Sequence, residues 1–395
     1  MRTTLQIAES YSPAPAAPPA ASEVVQASRG KRRVESLDYL RGVLAIGVML
    51  YHYKMWTGLN GPYPIQQIFS RIGIYAVCTF YVLSGMSLGI VYGKRQIDGN
   101  FLLEFAVKRF FRIVPLFWLV TTLTIVIRWF LPSLLGTVSS GVPRHGFLLA
   151  VLNYSLLFGW VRPDLYIAGG AWSIGNELVF YSLFPGLLLL MRASRLYLTI
   201  TLVALFAIGM WFAFGLINGS GDLDGQQWDT YVNPMNHAFL FAAGIAIILF
   251  FGNHPKISLK WLYFSSILCI AAFVFWPLSA RGETGLVTGY ERPLFSAFCC
   301  AFCYLALIWK VRDGKFTATL VWIGNISYAV YLLHPILFYV FDILNTKLFH
   351  ANAQLISFGL AMPVTIISAM LSWRLLERPA TRLGRTLLLR SASQS

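Results

Sequence analysis

Long apolar runs separated by short basic or polar loops dominate the chain. The first is Val34–Tyr53, VESLDYLRGVLAIGVMLYHY, and others follow at about 71–92, 110–131, 146–160, 172–191, 196–217, 235–251, 259–279, 293–310, 318–341 and 354–376. A helix needs about 20 mostly apolar residues to cross a bilayer, so these eleven runs are the candidate spans. The run at 146–160 is the shortest and follows Pro143, Arg144 and His145. Loop charges decide whether it crosses. With the N-terminus in the cytoplasm, Lys94, Arg95, Lys108, Arg109 and Arg112 lie inside. If 146–160 does not cross, Arg192, Arg195, Lys256, Lys260, Lys310, Arg312, Lys315, Arg378, Arg382 and Arg385 lie inside too, and the acidic loop Asp222, Asp224, Asp229 lies outside. If it crosses, the basic residues from Arg192 to Lys315 land outside. Cytoplasmic loops carry the excess of Lys and Arg. The pattern therefore predicts an all-α polytopic membrane protein of ten transmembrane helices, with a re-entrant or outer-surface segment near 146–160 and both termini cytoplasmic. An ordinary span at 146–160 is the alternative, and it breaks the charge rule.

Composition agrees. Hydrophobic residues make up 57% and charged residues 12% of the 395 positions, and a soluble domain carries about twice that charge. The net charge of +15 would suggest nucleic acid in a soluble chain. Here the loop excess accounts for it, and no soluble surface interleaves aromatic with basic residues, so nucleic acid is excluded. Cys78, Cys269, Cys299, Cys300 and Cys303 all lie inside apolar runs, as small buried hydrophobes with no disulfide or metal-ligand spacing. Residues 1–33 include SPAPAAPPAAS, cannot order themselves, and have prolines that interrupt any signal-peptide core. They are expected to form a disordered cytoplasmic tail, followed by a membrane domain at 34–380 and a basic cytoplasmic tail at 381–395. No internal repeat is visible.

Ionisable side chains within apolar helices are costly and face protein or water. The first helix carries Asp38, Arg41 and His52. Arg41 and His52 are 11 residues apart, so they share a face about 16 Å apart along the axis. Asp38 and Arg41, at i and i+3, can pair. Lys108, Arg109 and Arg112 stand at the mouth of the third helix, where two guanidinium forks three apart can grip phosphate or simply anchor the helix end. Trp172-Ser173-Ile174-Gly175-Asn176-Glu177 opens the fifth span at its outer end. Ser173 and Glu177 there can serve as cap and dipole complement, or Glu177 can orient His52 at similar depth. His334, in Ser327–His334, reads as a packing histidine or an acceptor contact. Trp160, Trp172 and Trp228 can stack on sugar or form an interfacial belt. Glu377-Arg378-Pro379 reads as a helix stop with a local ion pair.

These pieces, in this order, resemble the membrane-bound acyltransferase-3 family, whose members O-acylate bacterial exopolysaccharide, lipopolysaccharide, Nod factors and antibiotics. The matching stretches are Leu37-Asp38-Tyr39-Leu40-Arg41-Gly42 with His52, Phe80–Gly85, Arg109-Phe110-Phe111-Arg112, Trp172–Glu177, Ser327–His334 and Glu377-Arg378-Pro379. They span about residues 34–380. The resemblance implies a ten-helix transferase of the bacterial inner membrane that uses acyl-CoA, commonly acetyl-CoA, and no metal. It implies essential roles for Arg41 and His52 and a donor role for Arg109 and Arg112. Two departures stand out. Gly175-Asn176 precede and Leu178 follows Glu177, where the family usually has a small apolar residue and a second acid. A soluble esterase-like domain, present in some members, would here be a separate partner.

A sugar hydroxyl needs a positioned base. His52 is assigned that role, with Glu177 as its partner. Arg109, Arg112 and Lys108 would hold the coenzyme A phosphates, and Arg41, fixed by Asp38, would meet the pantetheine arm or the developing oxyanion. His334 and Trp172 would contact a carbohydrate or lipid-linked glycan acceptor arriving from outside. An acyl-histidine intermediate is the variant. The rival from another class is a proton-coupled carrier, which would use the same buried charges. A scaffold role leaves those charges unexplained.

Overall fold

The structure, a computed structural model, describes residues 21–59, 61–134, 146–218, 223, 225–251, 257–278, 282–309, 314–348 and 353–392, excepting the side chains of 21–35, 129–134, 346–348, 353–357 and 391–392. Every regular element among them is helical. In order these are α1 (Ala21–Trp56), α2 (Tyr63–Tyr92), α3 (Gly99–Leu134), α4 (Gly146–Tyr154), α5 (Phe158–Val161), α6 (Trp172–Ala193), α7 (Arg195–Trp211) and α8 (Gly225–Tyr231). Then follow α9 (Pro234–Phe251), α10 (Leu259–Phe275), α11 (Gly282–Val287), α12 (Glu291–Ile308), α13 (Lys315–Leu348), α14 (Ala353–Ser372) and α15 (Arg378–Ala392). A π-helical turn extends α7 over Phe212–Leu216, and another joins α14 to α15 over Trp373–Glu377.

Eight helical stretches among the described residues are long and apolar enough to cross a bilayer. α1 falls short of that test because Asp38, Arg41, His52 and Lys54 interrupt its apolar run, and α10 has only 17 residues. A 17-residue helix still rises about 26 Å, the lower end of what spans. The segment near 146–160 forms α4 of 9 residues and α5 of 4. Nine residues rise about 14 Å, too little to cross. The structure thus agrees with the all-α polytopic expectation and with a non-crossing segment there.

Both expected tails differ in part. α1 begins at Ala21, inside the stretch expected to be disordered, where Ala, Glu, Gln, Lys and Arg are favourable helix formers. Residues 1–20 lie outside the described residues. At the other end, 381–392 belong to α15 rather than to an irregular tail. A Cβ at Gly384 would press into the Phe111 ring, so α15 packs on α3.

Two glycine crossings position the site. A Cβ on Gly42 of α1 would come within 2.8 Å of the Gly324 nitrogen on α13, and one on Gly324 would strike the Asp38 carbonyl. α2 and α9 approach in the same way through Gly85 and Gly244. Small residues allow helix backbones in a membrane to touch, which maximises packing contacts where no hydrophobic drive exists between helices. A third close approach, Gly159 of α5 against Gly175 of α6, seats the α4–α5 segment on the start of α6.

Candidate active site

The first crossing sets up a histidine pair. His52 and His334 each lie ten residues beyond their contact glycine, Gly42 and Gly324, on helices that run in the same direction. That is roughly three turns along each, and the rings meet: His334 Nε2 lies 3.0 Å from His52 Nδ1. Trp56, one turn on from His52, stacks on it with centroids 4.9 Å apart and also lies 5.9 Å from His334. Tyr53 donates to the His334 carbonyl at 3.3 Å and its hydroxyl sits 2.7 Å from Thr365 on α14.

The pair has a defined proton arrangement. His334 Nδ1 lies 3.1 Å from the Val330 carbonyl, which can only accept. Nδ1 therefore carries the proton and Nε2 a lone pair. That lone pair faces His52 Nδ1, so His52 Nδ1–H donates to it. His52 Nε2 is left as the unprotonated nitrogen. In such a chain, the bond made by one ring nitrogen decides the chemistry of the other. Beside the pair, the Tyr51 hydroxyl donates to Glu283 at the start of α11.

Glu177 is elsewhere. The Ser173 hydroxyl is 2.7 Å from Tyr331, one turn before His334 on α13, and Tyr331 also donates to the Gly170 carbonyl at 3.0 Å. Gly170 has φ +75°, a turn that glycine adopts freely, and Gly169 abuts Pro335. The start of α6 is therefore placed at the middle of α13 rather than at its end. Glu177, four residues further along, lies about 10 Å inward of the histidine pair along the helix axes. There it accepts from Ser84 at 2.9 Å and from Tyr181. The expected partnership of Glu177 with His52 is corrected: His334 holds that place, because the α4–α5 segment lets α6 begin deep.

Arg41 belongs to the same inner layer. It donates to Asp38 at 2.5 Å, as its spacing predicts, and to Ser87 at 2.5 Å. Ser84 and Ser87, three apart on α2, thus link Glu177 and Arg41. Arg41 is about 16 Å from His52 along α1, so it cannot meet an oxyanion formed beside His52.

At the mouth, the two arginines diverge. Arg109 rests on the Tyr181 ring, 5.4 Å from its centroid, and its Nε is buried without a partner. Arg112 lies 6.0 Å from the Tyr328 centroid and pairs with Glu377 at 3.5 Å. The π turn at Trp373–Glu377 aims Glu377 inward, and one of its oxygens is buried without a partner. The expected local pair within Glu377-Arg378 is corrected: Arg378 lies over Trp373, 5.6 Å from its ring. Lys108 bonds to Glu104, which also takes Arg95 at 2.7 Å, on a more exposed face. Trp172 is buried at 5% exposure among Trp228, Tyr231 and His237, which corrects its placement as a sugar platform. Sequence reasoning passed over Ser87, Glu283, Tyr331 and Glu377 as site groups. The i, i+3 spacing of Ser84 and Ser87 was the one signal for any of them.

A family model described as an acyltransferase domain matches residues 34–374. The chain is 28% identical over 350 residues to the exopolysaccharide production protein ExoZ of Rhizobium meliloti (strain 1021), covering 85% of this chain and 96% of that one. It is 23% identical to the peptidoglycan O-acetyltransferase OatA of Listeria monocytogenes and 24% identical to the O-acetyltransferase OatA of Staphylococcus aureus, over 90% and 89% of this chain. It spans 57% and 58% of the length of those two. No solved structure matches it significantly.

Proposed function

Starting from a chain that belongs to the acyltransferase-3 family, we propose that it moves an acetyl group from acetyl-CoA to a hydroxyl of a bacterial surface glycan. The observation that carries this reading is the His52–His334 pair, which presents one unprotonated imidazole nitrogen within the bundle. His52 Nε2 takes the proton of the acceptor hydroxyl as its oxygen attacks the thioester carbonyl. The tetrahedral intermediate collapses by breaking the C–S bond, and His52 returns the proton to the coenzyme A thiolate. His334 touches neither substrate. It is a positioning residue, which accepts from His52 Nδ1–H and offsets the charge when the imidazole is protonated.

The donor side is the inner layer. Arg109 and Arg112 would hold the phosphates, and Arg112 would exchange its 3.5 Å contact with Glu377 for a phosphate oxygen. The polar row of Ser87, Arg41, Ser84 and Glu177 would line the pantetheine arm. It adjoins the arginines, since Arg109 rests on the Tyr181 ring, whose hydroxyl donates to Glu177. The Arg109–Arg112 end faces the cytoplasm in this reading, with both termini inside. The acceptor approaches from the opposite side, past Trp56, Tyr51 and Glu283. ExoZ is named for exopolysaccharide production and the Listeria OatA for peptidoglycan O-acetylation, which supports a glycan acceptor.

The test is acetyl transfer from labelled acetyl-CoA by detergent-purified protein, with acetyl esters on extracted glycans read by mass spectrometry with and without the chain. Ester formation without a sealed compartment is the expected outcome. Transfer only in sealed vesicles would point to a carrier, and binding of another acyl donor in preference to acetyl-CoA would overturn the donor assignment.

A further inference from the structure

A second site lies outside this machinery, at the same end of the bundle as Arg109 and Arg112. Where α2 ends and α6 turns into α7, a cavity of about 600 Å³ opens among Gly93, Lys94, Arg192, Ser194, Arg195 and Phe250. Among the described residues no carboxylate lines it. Among the described residues none of its three cations is in an ion pair, and Arg192 only donates to the Arg95 carbonyl at 2.7 Å. It is not part of the donor mouth: Arg192 lies 11 residues beyond Tyr181 on α6, about 16 Å along that helix.

Arg192 complements the end of α6, whereas Arg195 opposes the start of α7. Arg195 is the first residue of α7, and the first turn of α7 holds no acid. A cation at a helix N-terminus opposes the macrodipole, whereas an anion there is favoured. Ser194 satisfies one amide of that turn, accepting from Tyr197 N at 3.1 Å, and the other first-turn amides of a helix start remain available to an acceptor. One anion in the cavity would answer all of these features together.

An apolar groove of about 420 Å³ continues from it along α7 and α9, lined by Leu202, Val203, Phe206, Ala243, Ala246 and Phe250. Phe250 lines both spaces. The short Ala243 and Ala246 side chains form its floor, and Val203 and Phe206 leave it open toward the bilayer, 61% and 43% exposed. A phosphate at one end and an alkyl channel at the other match one molecule that the surrounding membrane supplies.

We propose that this is a binding site for an anionic glycerophospholipid, with its phosphate among Lys94, Arg192 and Arg195 and one acyl chain in the α7–α9 groove. Free phosphate is not its ligand, since that would leave the groove without a role. The basic residues attract anionic lipid at the interface, and each contributes independently to that attraction. The bound lipid would tie the ends of α2, α6, α7 and α9 together.

The experiment is native mass spectrometry of the whole chain in detergent, titrated with phosphatidylglycerol, phosphatidylcholine or undecaprenyl phosphate. Wild type is expected to retain one phosphatidylglycerol through activation that strips phosphatidylcholine. The double variant Arg192→Gln/Arg195→Gln should bind phosphatidylglycerol about tenfold or more weakly. Ala243→Trp, which fills the groove and leaves the charges intact, should also lose it. Size-exclusion profiles and acetyl transfer, which these residues do not serve, check that the variants fold. Equal retention of phosphatidylcholine, or phosphatidylglycerol kept by both variants, would overturn the proposal. Preferred retention of undecaprenyl phosphate would overturn the identity of the lipid and assign the site to a glycan carrier instead.

Discussion

Two histidine clusters sit inside the bundle, and they are built in opposite ways. Around His237 both ring nitrogens are closed, and of the groups about them only Arg292 Nε is buried without a partner. Its Nε2 lies 2.8 Å from the Tyr231 carbonyl, which fixes the proton there, and its Nδ1 accepts from Arg292 at 3.2 Å. Arg292, fully buried, also donates to the Asn236 carbonyl at 3.1 Å and to Cys78 Sγ at 3.3 Å. Tyr81, Trp172 and Tyr231 cover the imidazole. Both ring nitrogens are used, and no reactive atom remains. Among the described residues the His52–His334 cluster uses three of its four ring nitrogens and leaves open the fourth, His52 Nε2, the atom on which the proposed mechanism rests. His52 is half-buried, and Trp56, stacked on it, is 38% exposed. In an apolar interior, an imidazole bonded through both nitrogens is a structural group, and one with an open nitrogen has an atom left to meet a ligand.

Breaking the closed cluster should have the largest effect on the protein itself. Arg292→Leu leaves the Asn236 carbonyl and His237 Nδ1 without their donor, at about 1–3 kcal/mol for each unsatisfied group. Folded yield and thermal stability in detergent should fall sharply, while any folded fraction keeps its donor KM. Unchanged stability would remove the distinction between the clusters.

Breaking the open cluster should spare stability and abolish chemistry. His52→Ala is expected to lower kcat by ~10²–10⁴, the usual worth of a general base, with donor affinity by calorimetry nearly unchanged. If donor binding disappears as well, His52 belongs to the donor pocket and the division between outer and inner layers fails.

His334 sharpens the comparison. His334→Phe keeps the ring against Trp56 but cannot accept from His52 Nδ1–H, so kcat should drop by about tenfold or more with KM held. His334→Gln offers a carbonyl acceptor and should restore part of the loss. A residue that merely packs would show the reverse order, with Phe tolerated better than Gln.

The smallest effects belong at the mouth. Arg112→Lys retains charge but loses the planar fork and should raise donor KM more than it lowers kcat. Glu377→Gln frees Arg112 from its ion pair and should shift donor KM by only a few-fold, since Arg112 is partly exposed and its pair correspondingly weak. If both leave donor KM untouched, the arginines only anchor the helix.

Much of this was readable along the chain. The spans follow from apolar runs, because a helix in lipid satisfies its own backbone and needs only length and hydrophobicity. The Asp38–Arg41 pair follows from i, i+3 geometry, which is local. The failure of 146–160 to cross was legible in the distribution of basic loop residues, since charge placement and span number constrain each other.

What the tertiary structure alone decided are depths and partners. The sequence puts Glu177 level with His52 only if α6 begins at the end of its span. The α4–α5 segment, seated through Gly159 and Gly175, lets it begin near the middle instead. Nothing along the chain measures how far a loop dips. Arg112 and Glu377 meet across 265 positions, and His52 and His334 across 282. Both helices show their histidine in the sequence, but only the touching backbones at Gly42 and Gly324 set the register that brings the rings together. Helical periodicity is a property of neighbours within a few residues, whereas register between helices is set by which small residues allow their backbones to touch.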